Sequence, residues 1–181
     1  RVGRGVDSAL VERMNQLRGE ADRSFSAWTL GSYRFLHTSA SPGKPRLVYR
    51  VLESISRRRQ SVSDRSALVV VDGMSWFDWV IIRDSVLDAF GDRVSESATF
   101  ALVPTITSVS RGALISGSRH PAQSTDQKRF SKYWSQQGLS ADSSKVIVQG
   151  GRSIEDFSRD VVSAAQDPRV HAVAAVVSDL D

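Results

Sequence analysis

Residues 68–74 read LVVVDGM, and residues 103–117 read VPTITSVSRGALISG. The first stretch is a nearly continuous β-branched run that ends in a carboxylate and a glycine. That pattern suits a strand buried on both faces that stops at a turn. In the second, Pro104 closes an apolar run, and Thr105, Thr107, Ser108, Ser110 and Arg111 follow where a loop turns into a helix. A carboxylate at one strand end and a hydroxyl at the next helix start can share a metal ion, which points to metal-assisted phosphoryl transfer. Each half also has a plainer reading. Asp72–Gly73 suits a simple turn, and Thr107 or Ser108 suits a helix N-cap. The cap accounts for one hydroxyl and leaves Thr105, Ser110 and Arg111 unexplained. A helix start gathers backbone amides and a positive dipole end that hold an anion. A threonine there can attack phosphorus, and Arg111, one turn along, can neutralise phosphoryl oxygens.

Around these stretches the chain alternates. Strands are expected over residues 67–71, 99–103, 145–149 and 170–177, and helices over 76–90, 108–116, 128–137 and 154–165. Phe77, Val80, Ile81 and Leu87 mark one face of the first helix. Phe130, Tyr133 and Trp134 mark the apolar side of the third. Ser153, with Asp156 three residues on, is close to a capping box at the start of the fourth. This order is that of an α/β domain with a mainly parallel sheet and helices on both faces. Ligands in such sheets collect at the carboxyl ends of strands, which would bring Asp72, Thr105, Thr107 and Asp179 to one edge. The last strand runs straight into SDLD, so the chain reads as part of a longer protein.

Residues 1–66 read as a helical segment. Ala9, Leu10, Met14, Leu17 and Ala21 recur at helical spacing. An aromatic stretch from Phe25 to Leu36 suits core packing of a helical layer. A turn-rich linker over 38–44 precedes a second helix through Leu47, Val51, Leu52 and Ile55. That helix ends in Arg57, Arg58 and Arg59. The triplet suits a solvated helix end; contact with nucleic-acid phosphate is the alternative.

The 181 residues include no cysteine, which excludes disulfides, a Cys-held structural zinc and a thiol nucleophile. The net charge is +4, part of it in the Arg triplet. No apolar stretch reaches the roughly 18 residues of a membrane span, so a cytoplasmic protein without a membrane partner is expected. His37, His120 and His171 are too far apart in sequence to form a metal-ligating pair and read as ordinary surface or partly buried residues. Gly150–Gly151 reads as a turn more readily than as a phosphate cradle. Asp78 reads as part of a solvated helix face, or as a group supporting Asp72.

VVVDGMSWFDW followed by PTITSVSRGALISG resembles the alkaline phosphatase superfamily, most closely its PglZ branch, found in BREX phage-defence systems and in some bacterial response regulators. The resemblance spans residues 67–181 and implies the amino-terminal half of an alkaline phosphatase-like domain, incomplete as it stands. It implies that Thr107 is the nucleophile, that Asp72 is the first metal-binding carboxylate, and that Ser110 and Arg111 contact substrate. The superfamily's phosphodiesterases carry Asn and His at the positions of Ser110 and Arg111. Asp181 matches a later metal-binding Asp, with Asp179 as the alternative, and the His that follows in the family would lie beyond this chain. The activity implied is a metal-dependent phosphodiesterase or nuclease-like hydrolase with two divalent ions, zinc by resemblance. Its substrate would be nucleic acid or a nucleotide phosphodiester, and its partners other phage-defence proteins. By itself the chain would be inactive. The other function expected of this fold is a non-catalytic module that binds proteins or nucleic acid.

Overall fold

The computed structural model describes residues 7–38 and 46–178. Most of the linker expected over 38–44, and both Asp179 and Asp181, lie outside them. The chain divides into two compact units, Arg1–Ala40 and Ser41–Asp181.

The first unit is a long helix, α1 (Ser8–Ser32), continued by a 3₁₀ turn, Tyr33–His37. Asp7 starts it by accepting from the Ala9 amide through Oδ1 at 3.0 Å. None of the residues of α1 is buried. Of the aromatic stretch Leu36 is buried, while Phe25, Leu30 and Phe35 are more than half exposed, so most of it does not form the core layer expected. Phe25 stacks on Trp28, one turn away, with ring centroids 5.7 Å apart, but remains 57% exposed. Aromatics spaced by one turn satisfy each other along a helix whether or not a second layer covers them.

The second unit holds a three-stranded parallel sheet in the order β1–β3–β2, formed by β1 (Ser66–Val71), β2 (Ser144–Val148) and β3 (Ala172–Val177). The central strand, AVAAVV, is buried along nearly its whole length, and Ala172 and Ala174 are fully buried. Small side chains there let helices approach both faces. On one face Leu68, Val70, Ala174, Val176, Val146 and Val148 meet Leu52 of α2 (Val51–Ser56), Ile115 of α4 (Thr107–Ser116), and Phe130 and Trp134 of α5 (Asp126–Gln136). On the other, Val173 and Ile147 meet Ala164 of α6 (Ile154–Gln166). Two crossovers of one hand require opposite faces when the chain first steps from β1 out to β2 and then returns to β3 between them. The expected α/β class and parallel sheet are what the structure shows. The helix α2, read in sequence with residues 1–66, packs against α4 in the second unit.

The strand expected over 99–103 is not formed. Phe100 makes one parallel bridge with Leu47 through hydrogen bonds to Arg46 and Val48. An apolar run becomes a strand only where a ladder accepts it. Here Pro104, which lacks an N–H, closes the run immediately.

The helix α3 (Trp76–Phe90) occupies the expected residues, yet none of them is buried. It starts with a reciprocal capping box: Ser75 Oγ accepts from the Asp78 amide, and the Asp78 carboxylate accepts from the Ser75 amide. The bond that the Ser75 hydroxyl donates to the Asp78 carboxylate at 2.6 Å, followed by that from the Ser75 amide, holds the Asp78 carboxyl below the usual carboxylate range. Asp78 is thus a helix-start residue. At Ser153 the hydroxyl accepts from the Asp156 amide at 3.1 Å.

Candidate functional site

All three strands are parallel, so their carboxyl ends share one edge. Asp72 follows β1 directly, and its amide continues the ladder to the Val177 carbonyl at 2.9 Å. The next residue, Gly73, turns the chain away with φ +81°, a conformation that side-chain-bearing residues rarely adopt. Asp72 is thereby held at the strand tip.

Facing it is α4. The N-cap is Ile106, in extended conformation, with no side-chain cap bond. Thr107 is therefore the first helical residue and not the cap, and Ser108 follows it inside the helix. The Ile106 carbonyl accepts from the Val109 and Ser110 amides, each at 3.0 Å. Thr107 is exposed. Four residues on, Arg111 lies on the same helical face. Ser110 Oγ is buried without a hydrogen-bond partner. The far end of α4 is fixed by Gly117 at φ +62°, where a Cβ would meet the Tyr133 ring at 2.5 Å. Only glycine lets α4 pack that closely on α5.

Arg111 makes the central contact. Its Nη1 lies 3.2 Å from Asp72 Oδ2, and its Nε lies 3.4 Å from Asp126 Oδ2. Asp126, the first residue of α5, also accepts from Arg129 Nη1 at 2.9 Å, and Arg129 Nε is anchored on the Ala122 carbonyl at 2.9 Å. The side chains of Arg111, Asp72 and Asp126 are 30%, 23% and 14% exposed. Two carboxylates and two guanidiniums thus form one chain of charge, partly shielded from water, where an ion pair interacts more strongly than at an open surface.

The structure therefore brings Asp72 and Arg111 together and sets Thr107 one turn away on the face of α4 that carries Arg111. Asp179 and Asp181 fall outside the described residues. Asp126 and Arg129 were not singled out from the sequence. An acid in the first turn of a helix is ordinary dipole compensation, so nothing in TDQK marks Asp126 as a partner of Arg111. Gln149, at the tip of β2, is also new: its Oε1 is buried without a partner, while its Nε2 donates to the Arg152 carbonyl at 3.4 Å. Beside it the Gly150 amide donates to Ser178 Oγ at 3.4 Å, which ties the tips of β2 and β3 together.

Other candidates settle into structural roles. Arg57 pairs with Glu53, and Arg59 donates to the Val62 carbonyl at 2.7 Å while its guanidinium lies 5.0 Å from the centre of the Trp134 ring. Two of the three arginines are thus committed within the fold. His171 Nδ1 lies 3.2 Å from the Ser63 carbonyl, His37 meets Tyr33 edge to face, and His120 is exposed. Gly150 and Gly151 both take positive φ, as a turn requires.

Among the described residues no group of three His, Cys, Asp or Glu side chains converges to hold a metal ion. Asp72 and Thr107 alone fall short of the three protein ligands that a catalytic zinc takes, and the near oxygen of Asp72 already faces a guanidinium. Among the same residues no helix is long and apolar enough to cross a membrane. Comparison of the chain with protein-family models, with curated proteins and with solved structures found no match.

Proposed function

We propose that residues 67–181 are the amino-terminal part of a PglZ-type phosphohydrolase, acting on phosphodiesters at the carboxyl edge of the sheet. One observation carries this reading: Asp72, at the tip of β1, is joined by Arg111 to the helix whose first residue is Thr107. Parallel α/β sheets place ligands at this edge, and the α4 start supplies amides without a side-chain cap.

In this reading the Thr107 hydroxyl attacks phosphorus. The Oγ1–P bond forms as the bond to the leaving oxygen breaks, and the hydroxyl proton passes to the leaving oxygen or to solvent. The Thr107 adduct keeps the substrate's other ester group, and water then cleaves its Oγ1–P bond, freeing the hydroxyl and a phosphomonoester. Arg111 meets the charge that develops on the phosphoryl oxygens. The two divalent ions implied by the resemblance would need ligands beyond Asp72 and Thr107; Asp181 and Asp179 are the candidates. The setting would be a cytoplasmic phage-defence assembly.

The test is turnover of a chromogenic phosphodiester by the complete protein, with and without zinc. Thr107→Ala should abolish turnover while leaving the fold intact, and Asp72→Ala should lower both metal content and rate. Near-normal turnover by Thr107→Ala would leave Thr107 as an ordinary helix-start residue.

A second reading has its own support. The Asp72–Arg111–Asp126 chain is satisfied internally, and α3 exposes Trp76, Phe77 and Ile81 at 74%, 72% and 63%. A module that binds protein partners without chemistry would have both features. Absence of turnover with zinc present, together with a retained partner complex, would favour it.

A further inference from the structure

The ion pairs around Arg111 are unequal in what they accomplish. Asp126 sits on α5, is the most buried of the three side chains, and is itself gripped by Arg129, which is fastened to the Ala122 carbonyl. It meets Arg111 at Nε, the atom nearest the aliphatic stem, as an ion pair at 3.4 Å, whereas Nη1 donates a hydrogen bond to Asp72 at 3.2 Å. Asp72 holds the outer end, Nη1. A guanidinium anchored at Nε turns about that anchor and presents its Nη edge to whichever oxygen anion is nearest.

We infer that Asp72 is an internal stand-in for the oxyanion: its Oδ2 occupies the Arg111 edge that a phosphoryl oxygen takes when ligand arrives, and Asp126, backed by Arg129, is the pivot on which Arg111 changes partner. This rests on the proposed anion-binding role of Arg111. Ligand binding then has to displace a carboxylate, and the same exchange releases Asp72. Asp126 is a positioning residue, acting through Arg111 without touching the ligand. Charged side chains reach Arg111 from β1 (Asp72) and from α5 (Asp126), with Arg129 of α5 on the far side of Asp126.

The geometry makes two substitutions of equal charge act in opposite directions. Asp72→Asn removes the competitor and leaves the pivot, so affinity for an oxyanion rises, by about five-fold for a partly exposed pair. Asp126→Asn removes the pivot and leaves Arg111 to Asp72 alone, so affinity falls. Loss of a negative charge acting only through the local field would raise affinity in both.

Sulfate titration of the full chain by calorimetry reads this directly, with Arg111→Gln as the reference for loss of the anion site and circular dichroism confirming each fold. Opposite shifts for Asp72→Asn and Asp126→Asn support the exchange. Equal increases, or no change for Asp72→Asn while Arg111→Gln still abolishes binding, overturn the exchange and leave the anion site standing. No sulfate binding by any folded variant overturns the anion site, and the exchange with it. On the unmodified chain, ¹⁵N spectra of the arginine side chains provide a readout independent of any variant. Sulfate should shift the Arg111 Nη signals while Nε keeps its shift; equal movement of both contradicts a pivot at Asp126.

Discussion

The two edges of the sheet are treated differently. At β2 the outward backbone groups are met by a side chain: Gln127 of α5 accepts from the Val146 amide at 2.7 Å and donates to the Ser144 carbonyl at 2.9 Å. Its amide group occupies the place of a neighbouring strand. At β1 the Ser66 and Asp72 amides point inward to the His171 and Val177 carbonyls. The alternation of a strand then turns the backbone groups of Ala67, Val69 and Val71 outward. Val69 is 64% exposed beside a shallow apolar groove shared with Val161 and Ala165 of α6. Both outer strands pair with β3 and both reach the core, through Leu68 and Val70 of β1 and Val146 and Val148 of β2, so the difference lies in how their free edges are met. Asp72 and its helix-borne partner lie at the tip of the less enclosed strand.

The largest expected effect separates a core helix, α5, from an exposed one, α3. Trp134 is 1% exposed and Trp76 is 74% exposed. Trp134→Ala should cost about 3–5 kcal/mol, the usual range for emptying an aromatic core position. Trp76→Ser should change stability by less than about 0.5 kcal/mol. Urea unfolding midpoints compare the two. A comparable loss for Trp76→Ser would mean that α3 is packed in solution.

The same contrast explains which parts of the fold were legible. The runs at β1 and β3 are β-branched or small and apolar, and both became strands. The run over 99–103 has similar composition and did not, because strand formation is decided by the partner, which periodicity does not reveal. The α3 limits were legible from the spacing of Phe77, Val80, Ile81 and Leu87, although the start that Ser75 and Asp78 encode was not singled out; its exposure was not legible, since burial is a property of what packs against it. Asp72 and Arg111 could be singled out as chemistry-bearing residues at an element's end or start. Asp126 could not, because only the meeting of α4 and α5 turns an ordinary first-turn acid into the holder of Arg111.

A smaller effect sharpens the edge comparison. Gln127→Ala should cost about 1 kcal/mol, the usual net worth of a hydrogen bond, with part of the loss made good by water. It should also promote association, since the β2 edge would then be as open as that of β1. Denaturant titration and light scattering read the two consequences. Unchanged scattering would mean that Gln127 is not what guards this edge.

The mildest effect is a dependence on pH near the start of β3. Asp167 is half-buried, and its carboxyl is held far below the usual range. Hydrogen bonds from the Arg169 side chain and amide are the main causes, followed by attraction to Arg169 and Lys145. A carboxyl whose folded pKa lies below its unfolded value of about 3.9 contributes stability above that value and loses it as pH falls toward the folded one. Melting temperature should therefore decline below about pH 4, with a shallower decline for Asp167→Asn. Identical slopes would mean that the Arg169 contacts do not persist in solution.

The account depends most on Thr107. The direct measurement is mass spectrometry of the complete protein, quenched with acid during turnover of a phosphodiester. Attack by Thr107 predicts an adduct on its peptide with the mass of the phosphoryl group plus the substrate's retained ester group, absent in Thr107→Ala along with turnover. Turnover that proceeds with no adduct and survives Thr107→Ala would contradict it.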